Sequence, residues 1–157
     1  MGVVDILTAE RVSVAGVAEG EVRSKIEALS RLGALLARNH AEVSAAEIEG
    51  VLFERERLQS TGVGGGVAIP HGVVDRLEAQ LGAVLLCPRG IDFDAIDQEP
   101  VTILFAVIGP KKTGEHLKTL ARVSRLLRLE DFRARLLAQP GGASAFELLH
   151  AEDSRGG

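Results

Sequence analysis

Two histidines, an arginine and a run of glycines are the residues whose type and spacing could do chemistry in this chain. Ser60-Thr61-Gly62-Val63-Gly64-Gly65-Gly66-Val67-Ala68-Ile69-Pro70-His71-Gly72 sets four glycines in five positions and ends on a histidine bracketed by proline and glycine. A neutral imidazole is a competent nucleophile near neutral pH, because the unperturbed histidine pKa is about 6.5. Glycines leave backbone N–H groups free to converge on an anion, which is the physics of phosphate cradles. Pro70 fixes its own φ and holds Ile69 extended, so the chain enters His71 stiffly. The combination suggests a histidine that accepts a phosphoryl group. No lysine completes a P-loop, and the sixth place from Gly62 is Val67, so a dinucleotide fingerprint fails as well. The same residues also fit a glycine-rich turn feeding an ordinary strand, and residue types alone leave both readings open.

The second histidine follows a different pattern. Residues 101–108 are apolar at seven of eight positions and rich in β-branched side chains, which predicts a strand. Gly109-Pro110 ends it, Thr113 can cap a helix, and His116 falls in that helix's first turn. Positive charge at a helix N-terminus favours a neutral imidazole and a nearby anion, although a surface histidine beside a cap fits the same spacing. Glu54-Arg55-Glu56-Arg57, directly before the glycine run, reads on composition as a solvated, self-paired helix face. His40 reads as a helix-end cap and His150 as a surface residue. Cys87 reads as a small core residue. The acidic stretch Ile91-Asp92-Phe93-Asp94-Ala95-Ile96-Asp97 lacks the glycine and distal glutamate of a calcium loop, so no metal site is expected there.

The run from Ser60 to His71 resembles the signature of type 2 IIA domains of the bacterial sugar phosphotransferase system, the fructose, mannitol and nitrogen-regulatory group. The resemblance covers nearly the whole chain and implies that His71 is the phosphorylated residue. Arg55, in an Arg-Glu-x-x-x-Ser-Thr pattern, occupies the position of the family's active-site arginine, which leaves Arg57 on the surface. His116-Leu117-Lys118-Thr119-Leu120 matches the context of a second active-site histidine. Within the group the signature is most similar to the nitrogen-regulatory branch, to which Phe93-Asp94-Ala95-Ile96-Asp97 and the lack of fused transport or carrier segments also point.

The elements that must position these residues are legible in part. The 157 residues, 46% hydrophobic and 25% charged, suit one globular domain, expected over 1–153 with a disordered tail at 154–157. Apolar spacing predicts helices over 21–40 and 44–58, the second opened by a Ser44/Glu47 capping box. A short strand near 11–14, a buried strand over 81–87 closed by a turn at Pro88-Arg89-Gly90, and helices from 113 to 128, 131–138 and 144–150 complete the pattern. Helices alternating with strands predict an α/β or α+β fold. The resemblance implies a mixed sheet of about five strands flanked by helices.

A net charge of -4 with 3% aromatic residues argues against a nucleic-acid reader, and the lone cysteine rules out an intramolecular disulfide. Lys118, Arg122, Arg125, Arg128, Arg133 and Arg135 form one basic cluster, read as a solvated face. No secretory signal or membrane span is expected, so a soluble, cytoplasmic protein is. The expected mechanism is direct phosphoryl transfer to His71 from a histidine phosphocarrier protein, without cofactor, nucleotide or metal. Arg55, His116 and the N–H groups of Gly64 and Gly65 would hold the oxygens, Ser60 or Thr61 would orient the ring, and the resemblance implies Nε2 as the attacking atom. The resemblance implies regulated partners such as sensor kinases or potassium transport proteins; no nucleic acid and no membrane insertion are expected. Two other readings stand beside this one: a fructose- or mannitol-specific IIA donating to a permease IIB domain, and a binding-only regulator that is never phosphorylated.

Overall fold

Strand β6 (Val101–Gly109) shows why the sheet forms where it does. Its apolar run makes Ile103, Leu104, Phe105, Ala106, Val107 and Ile108 all fully buried, as a strand covered on both faces requires. The computed structural model describes residues 2–17, 20–111 and 115–156. Two short 3-10 turns, Val3–Ile6 and Ala9–Arg11, lead into β1 (Val12–Val14), followed by α1 (Lys25–Ala37) and α2 (Ala45–Leu58). Then come β2 (Gly62–Gly64), β3 (Val67–Ala68), β4 (His71–Val73), β5 (Leu81–Ile91) and β6 (Val101–Gly109), and last α3 (Glu115–Leu126), α4 (Glu130–Leu137) and α5 (Gly142–Gly156). The described strands form one mixed sheet in the order β1-β5-β6-β3-β2, with β4 also on β6. β5 runs antiparallel to β6, whereas β1 is parallel to β5 and both β3 and β4 are parallel to β6. This is the α/β architecture expected from the sequence.

Alternation along β6 divides the core into two layers. Leu104, Ala106 and Ile108 pack with Leu29 and Leu32 of α1 and Ile48 and Leu52 of α2. Ile103, Phe105 and Val107 pack with Val123 of α3, Phe132 and Leu136 of α4, and Leu149 of α5. Each such side chain larger than alanine contributes about 1.5–3 kcal/mol of transfer free energy, so the sheet is a rigid platform with helices on both faces. No helix among the described residues is long and apolar enough to cross a membrane.

Several local expectations are corrected. α1 starts later than expected because Ser24 caps it, its Oγ accepting from the Glu27 N–H at 3.1 Å. It also ends earlier, so His40 lies in the following turn, where Nδ1 meets Glu42 at 3.2 Å. Ser44 does cap α2, accepting from the Glu47 N–H at 3.1 Å. The Glu47 carboxylate, however, goes to Arg76. The turn expected at Pro88-Arg89-Gly90 is a register shift inside β5, which resumes pairing at Ile91 opposite Val101; Gly90, at φ 77°, supplies the bend. α5 continues past His150 through Ser154 and Arg155, where a disordered tail was expected. Buried Asp153 anchors this last stretch by accepting from the Val4 N–H at 3.1 Å. The Thr113 cap lies outside the described residues.

The glycine run is a β-hairpin. Gly64 pairs with Val67 across a two-residue turn, and Gly64, Gly65 and Gly66 have φ of 97°, 67° and 81°. A tight hairpin turn needs positive φ at its central residues, which glycine takes without steric cost. β3 and β4 are one extended path in a single register against β6, Val67 opposite Ile103 and His71 opposite Val107. Pro70 lacks an N–H and interrupts the ladder, while its carbonyl still accepts from Val107 at 2.9 Å.

Candidate functional site

Strand parity decides which way His71 faces. Val67 and Ile69 belong to the core layer beneath α3 to α5, and His71, two residues further on, shares that face. His116 is the second residue of α3, which starts beyond the end of β6 on the same side. The two imidazole centroids are 5.5 Å apart with their planes tilted by 55°. Residues 45 positions apart in sequence thus meet because the strand and the helix N-terminus open at one edge of the sheet.

The ring of His71 is held by its own strand. Nδ1 lies 2.8 Å from the Ile69 carbonyl, a geometry in which Nδ1–H donates and Nε2 carries the lone pair. Burial lowers the His71 pKa most; the Ile69 carbonyl and Glu56 act to raise it, and the Arg55 guanidinium lowers it further. His116 is also lowered, by burial first and then by the neighbouring His71. Both rings are therefore biased towards the neutral form. His116 Nδ1 is buried and has no hydrogen-bond partner among the described residues.

Arg55 approaches His71 from the other layer. It sits in the last turn of α2, half-buried, with Nη1 donating to the Gln59 carbonyl at 2.7 Å. Arg55 and His71 line one open cavity of about 640 Å³ together with Ser60, Thr61, Ile96 and Ser124. Arg57 is exposed and pairs with Glu54 at 3.4 Å, as a surface residue should.

The remaining expected residues are placed differently. Ser60 Oγ donates to the Phe93 carbonyl at 2.9 Å and accepts from the Gly62 N–H at 3.1 Å. Thr61 Oγ1 donates to Glu56 at 2.6 Å. Both line the cavity, yet neither hydroxyl bonds to the His71 ring; the Ile69 carbonyl does. Gly64 and Gly65 line an adjoining pocket beside Arg133 and not the cavity that His71 lines, and the Gly65 N–H donates to Asp97 at 3.0 Å. Asp97 thereby ties the 93–97 loop to the hairpin, and the Ile96 N–H donates to the Gly62 carbonyl at 3.1 Å. The described residues contain no acidic or histidine cluster suited to a metal. In the basic cluster, Arg133 donates to the Leu127 and Arg128 carbonyls just beyond the end of α3, and Arg135 pairs with Asp131 and Glu152.

Two participants were not singled out from sequence. Ile69 contributes only its backbone, and its position two before a histidine on an extended segment was the available signal. Glu56 is 6% exposed and accepts from the Thr61 N–H and hydroxyl. Its spacing of 48, 52, 56 with Ile48 and Leu52 puts it on the inward stripe of α2.

A family model described as "Phosphoenolpyruvate-dependent sugar phosphotransferase system, EIIA 2" matches residues 6–152. A nitrogen regulatory protein of Bradyrhizobium diazoefficiens is 40% identical over 130 residues, covering 82% of this chain and 84% of that protein. The fructose-specific EIIA component of Haloferax volcanii is 44% identical over 87 residues, 55% of this chain and 56% of that one. The crystal structure of the nitrogen regulatory protein IIA-Ntr from Neisseria meningitidis superimposes with a TM-score of 0.81 at 31% identity, covering 92% of this chain and 97% of the other.

Proposed function

Because the chain belongs to the phosphoenolpyruvate-dependent sugar phosphotransferase system EIIA 2 family of phosphoryl-transfer components, we propose that His71 is its phosphoacceptor, charged by a histidine phosphocarrier protein. The protein then signals to partners through its phosphorylation state. The observation that carries this reading is the 2.8 Å contact of His71 Nδ1 with the Ile69 carbonyl, which leaves Nε2 as the free nucleophile in a ring that lines an open cavity.

The step is an in-line transfer. The Nε2 lone pair attacks phosphorus as the P–N bond to the carrier's histidine breaks, and that bonding pair returns to the carrier's imidazole. Such a loose transition state asks the protein mainly for positioning and charge stabilisation. Arg55 supplies a fixed cation with a fork of donors. His116 supplies a ring nitrogen at the positive end of α3.

The regulatory reading rests on likeness to proteins named as nitrogen regulators. Sensor kinases and potassium transport proteins are the partner classes we propose. Likeness to a fructose-specific component favours a second reading, donation to a permease IIB domain. Incubation with phosphoenolpyruvate and the general phosphotransfer proteins should give an acid-labile mass gain of one phosphoryl group in the native chain and none in His71→Ala. Full labelling of that variant would refute the assignment. Adding membranes and labelled fructose or mannitol separates the two readings, since only the second yields sugar phosphate.

A further inference from the structure

An ion pair with a buried carboxylate and a partly exposed lysine lies behind the wall of the cavity, and the transfer step does not use it. Glu56 accepts from the Thr61 N–H with both oxygens, at 3.2 and 3.0 Å, and from Thr61 Oγ1 at 2.6 Å. Lys25, at the start of α1, reaches the same carboxylate at 2.8 Å and also lies 4.8 Å over the Phe93 ring. Thr61 is 4% exposed.

Hydrogen bonds continue from this pair to the histidine. The Thr61 carbonyl accepts from the Ile69 N–H at 3.0 Å, and the Ile69 carbonyl is the acceptor for His71 Nδ1. Lys25, Glu56, Thr61, Ile69 and His71 therefore form one connected path from α1 to the reactive ring. We infer that Glu56, backed by Lys25, is a positioning residue for His71: by fixing Thr61 it sets the hairpin against Ile69 and thereby the carbonyl that selects the His71 tautomer.

The chemistry of the groups requires a carboxylate there. Three donors converge on Glu56, namely an N–H, a hydroxyl and an ammonium, and only a carboxylate accepts from all three without offering a donor of its own. Apolar side chains of similar volume would close the seam between α1 and α2 as well or better. What they would not do is grip both the N–H and the hydroxyl of one residue and so fix the direction of its carbonyl. Glu56 stands behind Thr61 and does not line the cavity.

The kinetic arm of the test rests on the phosphoacceptor reading of His71; the spectroscopic arm does not. Nitrogen-15 NMR of the imidazoles reports the His71 tautomer directly. Transfer from the phosphorylated carrier gives kcat and KM. Glu56→Gln and Thr61→Val should convert His71 from a single Nδ1–H tautomer to a mixture and lower kcat by about tenfold or more, with the carrier's KM changed by less than about twofold. Thr61→Ser, which keeps the hydroxyl, should recover most of both signals. Lys25→Met/Glu56→Leu removes the pair while refilling its volume, so it should fold stably and still show the mixed tautomer and slow transfer. If Glu56→Gln fails to fold, the two Thr61 variants and the double variant decide. A folded double variant with the native tautomer and native kcat overturns the proposal. A native chain that takes no label removes the phosphoacceptor reading instead, and the tautomer measurement still decides the role of Glu56.

Discussion

The imidazoles of His71 and His116 stand 5.5 Å apart, one carried by a strand and the other by the first turn of a helix. At that separation a proton on His71 disfavours one on His116, so the two rings resist being charged together. The two rings are not equivalent, because of the pair only His71 is tied through Nδ1 to a backbone carbonyl.

His116→Ala should therefore slow transfer without abolishing it. Removing one donor that stabilises a charged transition state costs about 10²–10³-fold in rate, and a partly exposed site should fall at or below the lower end. Labelling should still occur at His71, and single-turnover transfer from the carrier checks this. A rate equal to that of the native protein would take His116 out of the mechanism.

The pH dependence has a definite sign. Burial, with Arg55 adding to it, lowers the His71 pKa below its ordinary value of 6.5, so the neutral, nucleophilic form persists into more acid solution. The acid limb of the acceptance rate, and the His71 NMR titration midpoint, should both lie below that value. Stability follows the same direction. The unfolded chain binds protons more readily than the folded one around both histidines, so their contribution is complete above about pH 6.5 and is lost as pH falls through the folded-state values. A titration midpoint above 6.5 would contradict the burial assigned to the ring.

How much of this the sequence disclosed depended on which physical signal each residue left. His71, His116 and Arg55 stood out through motif resemblance, and the structure brings His71 into a ring contact with His116 and a shared cavity with Arg55. β6 was readable because burial on both faces demands an unbroken apolar run. The glycines were ambiguous: the same small residues suit an anion cradle or a positive-φ hairpin turn, and only the pairing of Gly64 with Val67 decides for the turn. Gly65 then spends its N–H on Asp97, a partner 32 residues away that no local pattern announces. The Ile69 carbonyl was hard to read for a related reason: a backbone acceptor carries no side-chain signature, and only its place two before His71 on an extended segment pointed to it. Ser24 was missed as a helix cap because apolar spacing appeared to begin earlier, at Val22.

Cys87 should be inert in the folded protein. Its thiol is buried at 3% exposure in the layer beneath α1 and α2, and burial pushes its pKa up to about 12. Thiolate is the reactive species, so a thiol-specific reagent at neutral pH should leave the native chain unmodified and label one site on unfolding. Rapid stoichiometric labelling of native protein would place Cys87 outside the core.

Gly72 sets how closely α2 approaches the strand that carries His71. A Cβ at this position would run into Val51 Cγ1 of α2, so the helix packs directly on bare backbone. Gly72→Ala should force the helix outward and destabilise the fold by about 1–3 kcal/mol, the usual range for overpacking. Because Arg55 is one helical turn beyond Val51, the same displacement should carry the guanidinium away from His71 and slow transfer. Val51→Ala removes the clashing methyls, so the double variant should regain much of the lost stability and rate, which denaturant titration and single-turnover kinetics measure together. If Gly72→Ala alone has native stability and rate, the close packing of α2 on β4 does not hold Arg55 in the site.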